Sequence, residues 1–267
     1  MTELVDLARL VAREAAELIA DRRRAGITVA ATKSSPVDIV TQADRDSEEL
    51  IRDRLLTARP DDGFLGEEGN GVEGSSDVRW VVDPIDGTVN FLYGIPQYAV
   101  SIAAERDDEV VAGVVLNVAT GVEYAAEHGG GSFRDGERLS VRESGPLAEC
   151  LVLTGFNYVE EVRRRQAASW ARLLPQVRDI RRLGSCALDL CHVAEGSADA
   201  YVEEGVSAWD HAAGALIARE AGARTELTLG SSGRETLICA TRGRFAEFRS
   251  AVVSSGFLAH SEGSTGE

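Results

Sequence analysis

The chain has 267 residues, 44% hydrophobic and 27% charged, which is ordinary for a soluble globular protein and enough for a substantial core. Its 44 acidic and 28 basic residues give a formal net charge of −16, a surface that repels DNA, RNA phosphates and anionic lipid outside a local basic patch. No apolar run approaches the roughly 18 residues of a membrane span, and Met1–Asp6 carries acids where a secretory leader needs bases, so a cytoplasmic protein is expected.

Leu4, Leu7, Val11, Leu18 and Ile19 recur at helical spacing and predict an amphipathic helix over 3–24, closed by Arg22-Arg23-Arg24 and Gly26. After Pro36, Val37–Val40 reads as a short extended segment. Thr41 then caps a helix over 42–57, with Asp44 in its first turn and Leu50, Ile51 and Leu55 on its apolar face. Lys33 on its own reads as a surface lysine. Phe64–Gly69 is a short apolar stretch that meets Glu67 and Glu68 between glycines. Residues 70–78, rich in Gly, Ser and Asp, are expected to form a mobile surface loop.

The stretch Trp80–Phe91 is the most distinctive. Trp80-Val81-Val82 reads as a buried strand that Pro84 ends, because proline has no N–H for the ladder. Asp83 and Asp86 sit three residues apart on a turn that Pro84 stiffens and Gly87 loosens, with Thr88 at the start of a helix or turn. Carboxylate oxygens beside free N–H groups suit a divalent cation and a phosphate held together. A solvated Asp-rich turn is the plainer reading of Asp-x-x-Asp alone.

Tyr98–Glu105 and Val110–Val118 predict a β-hairpin about Arg106–Glu109. Val122–Ala126 and Ser132–Val141 continue an antiparallel meander, with turns at Gly129–Gly131 and Asp135-Gly136. The glycine triplet is not a phosphate loop, since no Lys-Ser/Thr follows it. Thereafter strands are expected at Leu151–Thr154, 177–183, Ala198–Glu203 and Thr236–Ala240. Helices are expected at 158–174, Ser185–Glu195, Trp209–Ala221 and Arg244–Ser254. This alternation predicts a sheet covered by helices. Residues 1–145 and 146–258 read as two halves of one functional unit, and the polar tail 259–267 as disordered. Cys150, Cys186, Cys191 and Cys239 form no Cys-x-x-Cys motif and read as reduced core residues. Asp210 follows Trp209 at the start of an apolar helix, where capping is the plainer role. The histidines form no cluster, and no Ser/His/Asp triad is evident.

Lys33–Asp44, Gly66-Glu67-Glu68, Trp80–Phe91 and Trp209–Gly214 resemble the motifs of the inositol monophosphatase family in order and approximate spacing, over essentially residues 3–255. Tyr93–Tyr98 and Leu183–Leu190 are most similar to its bacterial SuhB-like branch. The resemblance implies an α/β (α+β) fold, a layered αβαβα sandwich of the inositol monophosphatase and sugar phosphatase type. It implies Mg²⁺-dependent phosphate monoester hydrolysis, with Glu67, Asp83 and the Ile85 carbonyl on one metal and Asp83, Asp86 and Asp210 on a second. A third, looser Mg²⁺ lies near Glu67 in relatives. Glu67 and Thr88 would position and activate a water for in-line attack, with Asp44 accepting from the Thr88 hydroxyl. The N–H groups of Gly87 and Thr88 would bind phosphate oxygens.

On the same resemblance, Glu203 stands where relatives place a carboxylate against inositol hydroxyls, and Gly184, Ser185 and Cys186 match a loop lining that pocket beside Asp210. Lys33 is a further candidate for charge on the phosphate side. Ser207 departs from the histidine of animal relatives. The expected reaction is inositol-1-phosphate to myo-inositol and phosphate, lithium-sensitive and carried by a homodimer. Histidinol phosphate or another sugar or nucleotide phosphate is the alternative substrate. A SuhB-like role as an RNA or RNA polymerase partner is the alternative class, with Arg163–Arg165 and Arg181-Arg182 as its basic clusters.

Overall fold

The computed structural model describes residues 3–26, 29–32, 39–69, 71–143 and 145–259. Lys33, the extended segment at 37–38 and the tail from residue 260 lie outside the described residues.

Helix α1 (Glu3–Ala25) buries Leu4, Val5, Ala8, Val11, Ala12, Ala15 and Ile19, one stripe at helical spacing. Strands β1 (Val29–Thr32) and β2 (Ile39–Thr41) pair antiparallel and lead into helix α2 (Gln42–Ala58). Thr41 and Asp44 form a reciprocal capping box at its start.

A seven-stranded sheet follows in chain order: β3 (Gly63–Gly66), β4 (Val78–Asp86), β5 (Ala99–Arg106), β6 (Glu109–Asn117), β7 (Glu123–Glu127), β8 (Gly131–Arg134) and β9 (Glu137–Arg138). Its β3–β4 pair is parallel and the other pairs are antiparallel. The short helix α3 (Thr88–Tyr93) interrupts it after β4.

The rest of the described chain runs β10 (Leu151–Leu153), α4 (Glu160–Leu173), β11 (Asp179–Arg181), α5 (Cys186–Ala194), β12 (Ala200–Glu204), α6 (Ala208–Glu220), β13 (Ala223–Leu229), β14 (Glu235–Thr241) and α7 (Phe245–Ser254). Its five strands form a sheet of order β11-β10-β12-β14-β13. Strand β13 has no counterpart among the expected elements. It is the sheet edge, and its half-exposed alternation of polar and apolar residues reads weakly as sequence.

Strand alternation builds the layers. Trp80, Val82, Val100, Ile102 and Val114 face α1 and α2 in one core. Val81, Ala103, Val115 and Tyr124 face the other way, onto α5 and α6, which also cover Leu153, Tyr201, Leu237 and Cys239 of the second sheet. Val152, Val202 and Ile238 pack beneath Trp170, Phe245 and Phe248 of α4 and α7. The order is therefore helix, sheet, helix, sheet, helix. Because both faces are covered, β5 and β6 are nearly continuous apolar runs. Among the described residues no helix is long and apolar enough to cross a membrane.

Two expectations are corrected. Pro84 does not end its strand: β4 continues to Asp86 through a bulge, where the pairing steps from Asp83↔Ser101 to Asp86↔Ala99. The extra residue leaves one backbone position unpaired, and a residue without an N–H fits there. In a regular strand Asp83 and Asp86 would face opposite sides, and the one-residue bulge restores them to one side. The described part of 70–78 is not a loose loop. Val72 and Phe64 exchange two backbone hydrogen bonds of 2.8 Å, and Ser75 and Ser76 both donate to Asp61 O at 2.8 Å.

The end of β3 depends on a glycine. A Cβ at Gly66 would overlap the buried Glu48 carboxylate, whose Oε2 accepts from the Glu68 N–H at 2.7 Å. Gly66→Ala is expected to lose about 1–3 kcal/mol in urea unfolding, the cost of overpacking. Gly71→Ala, where the nearest atom would be an ordinary 3.5 Å away, should change stability by less than about 0.5 kcal/mol.

Candidate active site

The residues of interest come from the ends of six elements. Strand β3 delivers Glu67, and the β4 bulge delivers Asp83, Ile85 and Asp86. Gly87 follows in the left-handed region (φ 98°), where a Cβ would press on the Gln97 carbonyl at 2.8 Å and the Gly184 carbonyl at 3.1 Å. Thr88 opens α3. Gly184, Ser185 and Cys186 lead into α5, Glu203 lies near the end of β12, and Asp210 sits in the first turn of α6.

All of these line one pocket. Asp44 does not line it. This carboxyl, 1% exposed, lies behind Thr88, whose Oγ1 is 3.0 Å from both Asp44 Oδ1 and the Ile85 carbonyl oxygen.

The acids are held by donors that their neighbours supply. Asp83 Oδ1 accepts from the Ile85 N–H at 2.9 Å. Asp86 reaches across to the start of α5, accepting from Ser185 Oγ at 2.5 Å and from the Ala187 N–H at 2.7 Å. It thus meets helix N–H groups that have no intrahelical partner, and it ties the first sheet to a helix of the next layer. Asp210 Oδ2 accepts from the Ser207 N–H at 2.6 Å in a capping box. For Asp210, capping and a place in the pocket wall are therefore compatible, because each carboxylate oxygen has lone pairs to spare.

These acids repel one another. Burial, then the charges of Glu67, Asp86 and Asp210, push Asp83 well above the usual carboxylate range. Burial, Glu67 and Asp86 do the same to Asp210. Burial takes Asp86 up to about 7 against its hydrogen bonds from Ser185 and Ala187, and takes Asp44 up to about 6 against those from Thr41. Such a group asks for positive charge. The donors are hard oxygens, which suits Mg²⁺. Among the described residues no three His, Cys, Asp or Glu side chains close into a compact metal cage. Mg²⁺ keeps several waters and uses one or two carboxylates with substrate phosphate, so an open acidic wall fits it better than a cage would.

Two pocket groups, and one buried hydroxyl that holds a pocket residue, have no signal of their own in the sequence. Tyr201 Oη donates to Glu203 Oε2 at 2.6 Å. Asp189, buried on α5, and Arg182, just before that helix, line the same pocket. Arg182 reads as half of a basic pair, and Asp189 falls within the expected helix Ser185–Glu195. His211 is half-buried, and desolvation of its ring pushes its pKa down to about 4, which fits no acid–base role near pH 7.

The chain matches the model of the inositol monophosphatase family over residues 1–257. It is 48% identical over 253 residues to the inositol-1-monophosphatase SuhB of Mycobacterium tuberculosis, covering 88% of this chain and 87% of that protein. It is 39% identical over 224 residues to the Nus factor SuhB of Pasteurella multocida, covering 83% and 84%. The crystal structure of the extragenic suppressor protein suhB from Bartonella henselae matches with a TM-score of 0.86 at 33% identity, covering 94% of this chain and 98% of that one. The match runs through both sheets and the helices between them, so the protein belongs to the inositol monophosphatase family.

Proposed function

We propose that the protein is a Mg²⁺-dependent hydrolase of polyol phosphate monoesters, with inositol-1-phosphate as its reference substrate. The observation that carries this reading is the set of mutually repelling acids, Glu67, Asp83, Asp86 and Asp210, beside the Gly87–Thr88 turn in one pocket. Held by Glu67, Asp83, the Ile85 carbonyl, Asp86 and Asp210, two to three Mg²⁺ would supply positive charge to a phosphate dianion and a departing alkoxide and lower the pKa of water.

The chain's own groups do the rest. The N–H groups of Gly87 and Thr88, at a helix start, hold phosphate oxygens. The Thr88 hydroxyl hydrogen points to Asp44 Oδ1 and Ile85 O, which leaves its oxygen as an acceptor for the attacking water. Glu67 accepts the other hydrogen of that water, and the water's proton moves toward these carboxylates as it attacks in line. The Ser185 hydroxyl is committed to Asp86, so it is a structural donor and not a nucleophile. With Oε2 occupied by Tyr201, Glu203 keeps Oε1 for hydroxyls of the leaving alcohol, next to Cys186 and Gly184.

Phosphate release tests this on inositol-1-phosphate, histidinol phosphate, fructose-1,6-bisphosphate and 3′-phosphoadenosine 5′-phosphate, each with Mg²⁺ and with excess EDTA. Inositol-1-phosphate should be hydrolysed with the highest kcat/KM, and EDTA should stop all release. Undiminished release in EDTA contradicts the reading, and a faster histidinol phosphate replaces the substrate. Lithium sensitivity and a homodimer belong to the same proposal, checked by Li⁺ titration and light scattering.

A second reading, a partner of RNA polymerase, is favoured by the Pasteurella relative, which is named a Nus factor. Against it, Arg164, Arg165 and Arg181 are locally balanced by Glu160, Glu161 and Asp179. Retention of RNA polymerase on immobilised Asp83→Asn protein would establish that role apart from catalysis.

A further inference from the structure

We propose that Arg182 sets the charge class of the leaving group, reserving the acidic far wall of the pocket, Glu203 and Asp189, for neutral polyols and turning away leaving groups that carry a cation. The inference rests on the phosphatase reading of the pocket.

The far wall alone would favour the opposite choice. Glu203 and Asp189 line the same pocket, and Asp189 is 1% exposed with no hydrogen-bond partner on Oδ1 among the described residues. Two carboxylates in such surroundings are poorly solvated and attract an ammonium or an imidazolium. Among the described residues lining the pocket, Arg182 is the one cation.

Its place is set by a glycine. Gly184 has φ 100°, and a Cβ there would overlap Arg182 Nη1 and come within 2.7 Å of Asn90 Nδ2. The guanidinium therefore rests against Gly184. The carbonyl of the same residue abuts Gly87, since a Cβ on Gly87 would lie 3.1 Å from it. Arg182 thus stands at the seam between the phosphate-facing turn and the far wall.

It forms no ion pair or hydrogen bond among the described residues. Its field nonetheless reaches both acids, pulling each carboxyl down against the upward push of burial. An unpaired guanidinium keeps its charge available to the ligand. A neutral polyol meets acceptors on Glu203 with the acidity of the wall offset. A cationic leaving group meets a like charge over the same wall, which is discrimination by repulsion.

The test compares the Mg²⁺-loaded wild type with Arg182→Gln and Arg182→Lys. Arg182 is exposed, so both variants should melt at the wild-type temperature. The quantity measured is the ratio of kcat/KM for histidinol phosphate to that for inositol-1-phosphate, at low and high salt. Arg182→Gln should raise this ratio about tenfold at low salt, chiefly through KM, and less at high salt, as expected for a screened charge. Arg182→Lys, which keeps the charge, should hold the ratio within about twofold of wild type. A ratio that is unchanged or falls in Arg182→Gln, or that rises equally in Arg182→Lys, overturns the assignment. The wild-type ranking of the two substrates separately tests the polyol reading, and the Arg182→Gln ratio decides the role of Arg182 whichever substrate ranks first.

Discussion

Asp83→Asn should lower phosphate release by about 10³-fold or more and, in the same molecule, raise the melting temperature of the metal-free protein at pH 8. The first effect follows from losing the acid at the centre of the proposed metal wall, which removes several kcal/mol of charge stabilisation. The second follows from burial and then from repulsion. Asp83 is buried among Glu67, Asp86 and Asp210, and asparagine keeps an oxygen for the Ile85 N–H while removing the charge. A carboxyl whose pKa is raised in the folded protein holds its proton more tightly there than in the unfolded chain. It stabilises the fold at low pH, and that contribution is lost as pH rises through the folded value. With Asp86 raised to about 7 and both Asp83 and Asp210 held well above the carboxylate range in wild type, the loss is well advanced at pH 8. Calorimetry in EDTA should therefore show Asp83→Asn several degrees above wild type at pH 8, on the scale of about 2–4 °C per kcal/mol, and level with it near pH 4. Added Mg²⁺ should raise the wild-type melting temperature and leave the variant unmoved. A variant less stable than wild type at pH 8 in EDTA would refute the repulsion argument.

Thr88→Val should lower kcat by about 10²–10³-fold with little change in KM, while Thr88→Ser keeps most of the activity. Valine matches threonine in shape but has no hydroxyl to receive the water or to donate to Asp44 Oδ1. Asp44 is buried and loses a donor, so the variant should also lose about 1–3 kcal/mol of stability in urea unfolding. A KM effect larger than the kcat effect, or a serine variant as slow as the valine one, would place Thr88 outside the chemistry.

Much of the fold was legible because local patterns and burial agree. The stripe of α1 from Leu4 to Ile19 and the apolar runs of β5 and β6 predict their own environments. Pro84 was misread because the chain-local rule counts a missing N–H, whereas the bulge that uses this gap depends on the register against β5. Residues 71–78 look loose by composition, yet their backbone is fastened to Phe64 and Asp61 by partners distant in sequence. In the site, Asp83, Asp86, Glu67, Thr88 and Asp210 stood out only when their motifs were taken together. Singly, Asp44 and Asp210 read as helix caps, and the structure has both of them capping. Arg182 and Asp189 were not legible as pocket groups. They join it because α5 starts at the seam where Asp86 reaches over from the first sheet, a contact that no local spacing announces.

In the proposed reaction, carboxylates from β4 and from α6 act together on Mg²⁺ to cleave a phosphate monoester. The most direct measurement is a Mg²⁺ titration of phosphate release from inositol-1-phosphate, run on wild type and on Asp210→Asn. Wild type should be silent without Mg²⁺, rise saturably with it and fall silent again in EDTA, while Asp210→Asn stays at least about 10²-fold lower at every concentration. Release that is independent of Mg²⁺, or an Asp210→Asn curve that overlies wild type, would contradict the account.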